Sequence, residues 1–177
     1  SLESITMALN SEDSETSHYA ASVLCDELNK FRSQVQKMYT GMQQEGEEET
    51  DYEKMMLDYM NRVLSQKVFT TLEQTKYVKM LEEATESLYR KNRERIFVKQ
   101  YEGLCLRLLE LKKFPETEKW CRRLVQQHGN TLEAYTCQLK LYFTMGEREK
   151  FFQVMQELKQ SDVIIDNETL ELIRIFS

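Results

Sequence analysis

The chain has few residues that break a helix and lacks the pattern expected of a sheet. It contains one proline and five glycines in 177 residues, and 41% of its residues are apolar. No run of about four to eight residues alternates strictly between apolar and polar side chains between turn signals. The sequence therefore predicts an all-α protein, long enough to bury one substantial core.

Long apolar runs are also missing. No stretch of about 20 apolar residues is present, so no segment of this sequence is expected to cross a membrane. Its first residues are too polar for a signal peptide.

Signatures of catalysis are absent as well. The sequence has no glycine-rich phosphate loop, no GxSxG elbow, no HExxH pair and no DxDxDG loop. Of the two histidines, His18 is expected to be partly buried beside another helix, and His128 to close a helix where positive charge suits the dipole. The sequence predicts a protein that is not an enzyme, with no catalytic residue, metal or cofactor.

The cysteines show no pairing pattern. Cys25, Cys105, Cys121 and Cys137 form no CxxC motif, and no nearby histidine completes the usual spacing of a zinc site. We expect four reduced thiols that pack as small apolar side chains in a cytoplasmic protein.

Positive charge is in deficit. The formal net charge is −6, whereas nucleic-acid binding usually requires a basic face, so no nucleic acid is expected as a partner. Lys91, Arg93, Arg95 and Lys99 form a local basic cluster. We expect these residues to lie at solvated helix ends. The alternative is that they form a binding patch.

The N-terminal part, residues 1–44, is expected to hold a short helix over 2–9 and a long helix over 14–43. The long helix follows from apolar residues that recur every three or four positions over about eight turns. It either braces other helices or packs against a second copy in a homodimer. Residues 45–51 are predicted to form a solvated acidic loop, with a partner-recruiting patch as the alternative.

Internal repetition organises the rest, residues 51–177. The pentad at 116–120 (ETEKW) is echoed at 147–151 (EREKF), 31 positions later, and apolar residues before each copy keep this offset. Such an offset predicts two tetratricopeptide-like helical hairpins. Helices over 51–66 and 71–92 form an earlier hairpin, and a final helix capped by Asp166 or Asn167 seals the last repeat. We expect a right-handed solenoid, packed with the N-terminal part as one domain.

Turn residues support these boundaries. Pro115 suits the first turn of a helix. Gly129 is expected in a left-handed conformation after the same helix, Asn130 or Thr131 is expected to cap the next one, and Gly146 precedes the last copy.

Stacked hairpins present a concave surface built from the first helix of each pair, and such surfaces bind other proteins. The alternative is that these positions face only water or the next helix. The predicted partner-binding residues are Glu102, Cys105, Leu109, Lys112, Glu133, Thr136, Lys140 and Phe143.

Three segments resemble a known family. Residues 8–22 (ALNSEDSETSHYAAS), the stretch 118–121 (EKWC) and the closing region 151–176 are similar to segments of Gram-positive PelE, the tetratricopeptide accessory protein of Pel exopolysaccharide biosynthesis. Together they cover about half of the chain. Only two repeats are clear here, which departs from that pattern.

The resemblance implies a cytoplasmic domain of a bacterial inner-membrane protein whose membrane-spanning part precedes Ser1. Its function would be a scaffold that organises the polysaccharide synthase complex. The implied partners are the cyclic-di-GMP receptor PelD, the glycosyltransferase PelF and the transporter PelG. A different hypothesis is a peptide-sensing tetratricopeptide domain of a bacterial transcription regulator.

Overall fold

The computed structural model describes residues 1–11 and 13–177, and all regular structure in these residues is helical. The predicted all-α class is confirmed. Within the described ranges, no helix combines the length and the apolar character needed to cross a bilayer. The helices of this part of the chain are α1 (Leu2–Leu9), α2 (Ser14–Gln44), α3 (Asp51–Leu64), α4 (Thr71–Asn92), α5 (Val98–Glu110), α6 (Phe114–His128), α7 (Leu132–Met145), α8 (Arg148–Gln160) and α9 (Asn167–Ile175).

Side-chain caps fix several helix starts. Asp13, Thr131 and Asp166 each accept a hydrogen bond from a backbone amide in the first turn of the helix that follows. Such bonds satisfy amides that have no partner within the helix. Pro115 lies in the first turn of α6, as predicted. The Thr50 hydroxyl does not cap α3 but accepts a hydrogen bond from Arg95 at 2.9 Å.

The two glycines that follow helices differ in conformation. Gly146 adopts the left-handed conformation, with φ of 72°, and its amide bonds to carbonyls of α7. Gly129 was predicted to do the same, but this prediction is wrong, because its φ of −61° and ψ of −26° are right-handed. Gly129 and Asn130 form a short turn between the end of α6 and the cap at Thr131.

Contacts divide the chain into two compact units, residues 1–96 and 97–177. In the N-terminal unit, the second half of α2 packs with α3 and α4, while α1 packs against α2. Phe31 on α2 lies among the rings of Tyr59, Phe69 and Tyr77, with centroids 5.0 to 5.4 Å away. Before Phe31, Ala20 is the only buried residue of α2, and α1 buries none. The core of this unit therefore lies at its α3–α4 end.

A buried ammonium group anchors the loop between α2 and α3. Lys91 Nζ lies 2.8 Å from a carboxylate oxygen of Glu53 and 3.4 Å from one of Glu45. It also donates to the carbonyl oxygens of Gly46 and Glu49. The side chains of Lys91, Glu45 and Glu53 are 4%, 3% and 0% exposed. The loop is thus held to α4. The Glu45 side chain is buried, contrary to the prediction that the loop is solvated.

The basic cluster proposed from the sequence is largely engaged. Besides Lys91 and Arg95, Arg93 lies over the Tyr89 ring at 4.2 Å. Arg93, Arg95 and Lys99 are exposed at or beside helix ends, as predicted, whereas the side chain of Lys91 is buried.

In the C-terminal unit, α5 pairs with α6 and α7 pairs with α8, while α7 also contacts α5 and α6. Trp120 of α6 is fully buried, with its ring 6.2 Å from that of Tyr101 on α5. The Tyr101 hydroxyl donates a hydrogen bond to the side chain of Gln127. Around α7 and α8 lies a second apolar cluster, which includes Leu139, Phe151 and, from α9, Ile173.

The buried positions of α6 recur in α8 34 residues later. The buried residues of α6 are Thr117, Trp120, Cys121 and Leu124, and those of α8 are Phe151, Val154, Met155 and Leu158, each 34 positions later. The predicted offset of 31 is therefore wrong as a structural alignment. It pairs the charged residues of the two pentads and also Trp120 with Phe151, whereas all four buried positions of α6 correspond to buried positions of α8 at 34 residues.

Candidate functional site

Helices α5, α7 and α9, together with Phe151 of α8, line a groove in the C-terminal unit, with a cavity volume of about 580 Å³. Each of the first three helices contributes both apolar and charged side chains. The lining residues are Lys99, Glu102, Leu106, Leu132, Glu133, Thr136, Leu139, Lys140, Phe143, Phe151, Asp166, Glu168, Thr169, Glu171, Leu172, Ile175 and Phe176.

Helical periodicity brings these side chains to one face. On α7, Glu133, Thr136, Lys140 and Phe143 follow each other at intervals of three or four, which places them on the same stripe. The buried residues Ala134, Cys137 and Leu141 of the same helix lie on other faces. Because helical backbone groups bond to each other, the groove offers a ligand mainly side chains.

Three aromatic rings form part of the apolar lining of the groove. Phe143 is 63% exposed, and its ring lies 6.0 Å from that of Phe151 and 6.2 Å from that of Phe176. Phe151 itself is buried and packs at 5.1 Å from Phe176. A large apolar side chain with one open side, backed by a well-packed cluster, is typical of an anchor for a protein partner.

Charged groups also line the groove. Five carboxylates line the groove, against two lysines. Lys99 Nζ lies 3.4 Å from a carboxylate oxygen of Glu102 and 3.9 Å from one of Glu133. Hydrogen bonds from the Thr169 side chain and amide lower the pKa of Asp166, and the charge of Lys140 acts in the same direction. The Asp166 carboxylate thus stays ionised at neutral pH.

Five of the eight residues predicted from the sequence line this groove, namely Glu102, Glu133, Thr136, Lys140 and Phe143. Leu109 and Lys112 lie instead with Lys140 at a neighbouring cavity of about 490 Å³. Cys105 is 2% exposed and belongs to the core. The face of α5 was therefore assigned one position away from the residue that reaches the groove, Leu106.

Sequence reasoning missed Lys99, Leu106 and the contribution of α9. The signal for the first two was available, since residues 99, 102 and 106 recur at helical spacing. The contribution of α9 could not be predicted from the sequence, because its amphipathic pattern indicates that it packs on other helices without indicating which ones.

The thiols separate into two groups. Cys105, Cys121 and Cys137 are buried, which confirms their role as packing residues, whereas Cys25 is exposed, so this prediction is wrong there. A hydrogen bond with Cys137 and burial raise the pKa of Cys105, and burial raises the pKa of Cys121 to about 12. Among the described residues, no group of three or more metal-ligating side chains is placed to hold a metal ion.

The histidines occupy unrelated positions. His18 is exposed on α2, contrary to the prediction that it is partly buried. His128 ends α6 as predicted, with its ring 6.0 Å from that of Tyr101.

A second cavity lies in the N-terminal unit, with a volume of about 810 Å³ between α1, α2 and α3. Leu28, Met38, Met55 and Tyr59 give it apolar walls. Its charged lining is nearly balanced, with three acids and two bases, so its charge does not select a partner: Glu3, Glu27, Asp58, Lys30 and Arg62.

Comparison with known proteins provides no relative from which to transfer a role. No protein-family model, no curated protein and no solved structure matches this chain.

Proposed function

We propose that this chain is a non-enzymatic protein-interaction module, and that the groove between α5, α7 and α9 binds a segment of a partner protein. The observation that carries the proposal is the aromatic cluster of Phe143, Phe151 and Phe176, in which Phe143 is 63% exposed. Covering apolar surface releases about 25 cal/mol per Å², so a partner's apolar side chains would gain most at this position.

The packing of the C-terminal unit supports a tetratricopeptide-like arrangement. The 34-residue offset between the buried positions of α6 and those of α8 equals the length of such repeats. Their first helix carries a W-x₂-L-G-x₂-Y pattern, and α5 has Tyr101, Leu104, Cys105 and Leu108 at the same spacing. We therefore assign α5–α6 and α7–α8 to two stacked hairpins of a right-handed solenoid, with α9 as its capping helix. In that arrangement α5 and α7 provide the concave face.

A finer proposal rests on the sequence segments that resemble PelE. In it, the chain is the cytoplasmic repeat domain of a membrane-anchored protein that organises an exopolysaccharide synthase. Pull-down of the purified chain with PelD, PelF and PelG tests this identity, and the expected result is retention of at least one of them. If none is retained at tens of micromolar, this identity is lost while the groove proposal stands.

Selection from a library tests the groove without assuming a partner. A phage-displayed library of random peptides is selected on the immobilised chain, and the enriched peptides are then measured by fluorescence anisotropy. We expect peptides that bind the native chain and lose about tenfold or more in affinity with Phe143→Asp, since a charge would replace the anchor.

Ile164→Asp provides the matched control. Ile164 is 89% exposed in the same unit but does not line the groove. Peptides should bind this variant as they bind the native chain. The proposal would be refuted if no peptide is enriched, or if Phe143→Asp and Ile164→Asp lose peptide affinity equally.

A further inference from the structure

The charge around the groove differs from that of the unit that contains it. Residues 97–177 include twelve acidic and twelve basic side chains, so the unit as a whole is neutral. The groove, in contrast, has five carboxylates and two lysines. Negative charge is therefore concentrated at the apolar surface rather than spread over the unit.

The two lysines do not remove this excess. Lys99 already lies beside two carboxylates, Glu102 and Glu133. The charge of Lys140 acts on Asp166 and helps to lower the pKa of its carboxyl group. On α9, Glu168 and Glu171 are exposed, and Glu171 forms an ion pair with Arg174 at 2.7 Å. A partner that covers the groove must supply positive charge, because burying carboxylates without compensation is unfavourable.

The form of the partner follows from what the walls present. The described residues contain no strand, so a partner cannot bind by adding a strand to a sheet edge. A groove lined by helices that present both apolar and charged side chains matches the mode in which an amphipathic helix lies in a groove. Such a helix places apolar residues in a stripe and charged residues on both sides of it.

We propose that the groove takes a basic amphipathic helix of a partner protein, with its apolar stripe on Phe143 and its lysine or arginine side chains beside the carboxylates of α5, α7 and α9. This inference rests on the proposed function and specifies its partner. Charge also disfavours an acidic segment, including α1 of a second copy, which carries Glu3 and no base.

Three synthetic peptides of about 15 residues test the partner chemistry. They share one leucine stripe and differ only at the flanking positions, which hold lysine, glutamine or glutamate. Anisotropy with the 177-residue chain should show the lysine peptide binding about tenfold tighter than the glutamate peptide, equivalent to about 1.4 kcal/mol. The contrast should shrink between about 0.1 M and about 1 M salt, as the screening length falls from about 10 Å to about 3 Å.

Charge reversal locates the effect on the groove. Glu168→Lys with Glu171→Lys should reduce or invert the preference for the lysine peptide. The control variant, Glu149→Lys with Glu157→Lys, makes the same change in net charge on α8, outside the groove lining. This control should keep the native preference for the lysine peptide. Glu149 and Glu168 both lie in the first turn of a helix, where the helix dipole disfavours a lysine, so both double variants lose a similar amount of stability from this substitution. Circular dichroism confirms that both variants fold.

The outcomes separate this inference from the proposed function. If all three peptides bind equally and all are lost with Phe143→Asp, the groove binds protein segments but the basic preference is refuted. The basic preference is refuted as well if the control variant changes it as much as the α9 variant does. If library peptides bind and none of the synthetic helices does, the helical partner is refuted. If neither library nor synthetic peptides bind, both proposals fail.

Discussion

Trp120 is the largest fully buried side chain of the C-terminal unit. Its indole is 0% exposed and lies against Tyr101, while Arg123 lies over the ring at 4.7 Å. The burial of this side chain joins α6 to α5, so the first hairpin cannot lose it without leaving a cavity.

Replacing Trp120 with alanine is expected to lower the free energy of unfolding by about 3–5 kcal/mol, through lost burial and the cavity that remains. Urea denaturation followed by circular dichroism measures this change. Trp120→Phe keeps part of the ring and should cost less. An unfolding midpoint within error of the native one for Trp120→Ala would show that the ring contributes no core packing.

The four cysteines are expected to differ in reactivity. The thiolate is the reactive form, and a pKa of about 12 leaves about one Cys121 in ten thousand as thiolate near pH 8. With Cys105 and Cys137 also buried, only Cys25 should react quickly with a thiol reagent in the native protein.

A colorimetric thiol titration checks this expectation. One equivalent should react rapidly without denaturant and four with it, and Cys25→Ser should remove the rapid phase. Rapid reaction of three or more thiols in the native protein would contradict the buried assignment.

At the scale of elements, local chemistry made most of the helices predictable. The starts of α2 and α9 follow from Asp13 and Asp166, whose carboxylates accept hydrogen bonds from neighbouring amides. These interactions involve residues close in sequence, so the sequence contains the whole signal.

The repeat register was less predictable, because the sequence shows which segments are similar but not which of their side chains are buried. The charged pentads that match at 31 positions lie near the starts of α6 and α8, and each pentad contains both buried and partly buried or exposed side chains. Trp120 corresponds to Val154, not to Phe151, and only the packing of α6 and α8 reveals this. The same problem moved the predicted groove face from Leu106 to Cys105, since both are apolar and adjacent.

Helices α2 and α4 are joined by an ion pair whose effect should depend on pH. Arg32 donates two hydrogen bonds to Glu73, at 2.9 and 2.7 Å. These bonds lower the pKa of Glu73 from its ordinary value of 4.5. Because the folded pKa is the lower one, the stabilisation is fully present above the unfolded pKa and is lost as pH falls through the folded pKa.

Glu73→Gln is expected to lower the free energy of unfolding at neutral pH by up to about 1 kcal/mol, since the pair is partly exposed. The difference from the native chain should disappear in acid, where Glu73 itself becomes protonated. Urea denaturation at pH values on either side of the ordinary pKa measures this. Glu48→Gln, in the exposed part of the loop before α3, should show little difference at any pH. A deficit for Glu73→Gln that persists at the lowest pH would exclude the ion pair as its source.

At the scale of the whole chain, the two units have separate cores and separate charge. Residues 1–96 include eighteen acids and twelve bases, which accounts for the entire net charge of −6. The division between Ile96 and Phe97 lies inside the region expected to hold the repeats. That residues 1–44 and 51–177 fold as one domain remains a prediction.

Each unit is expected to fold without the other, because each buries its own aromatic cluster. Fragments 1–96 and 97–177, prepared separately, should give helical circular dichroism spectra and cooperative thermal transitions. The fragment 97–177 should also bind the lysine peptide with the affinity of the full chain. A fragment that melts without cooperativity would show that its core is incomplete.

The ammonium group beneath the loop at 45–50 restricts which substitutions the chain can accept. Removing Lys91 would leave the carboxylates of Glu45 and Glu53 buried without a counter-charge, and breaking a buried pair costs about 3–5 kcal/mol. These three positions should therefore covary among natural variants, with an apolar residue replacing the lysine only where both acids have also been exchanged.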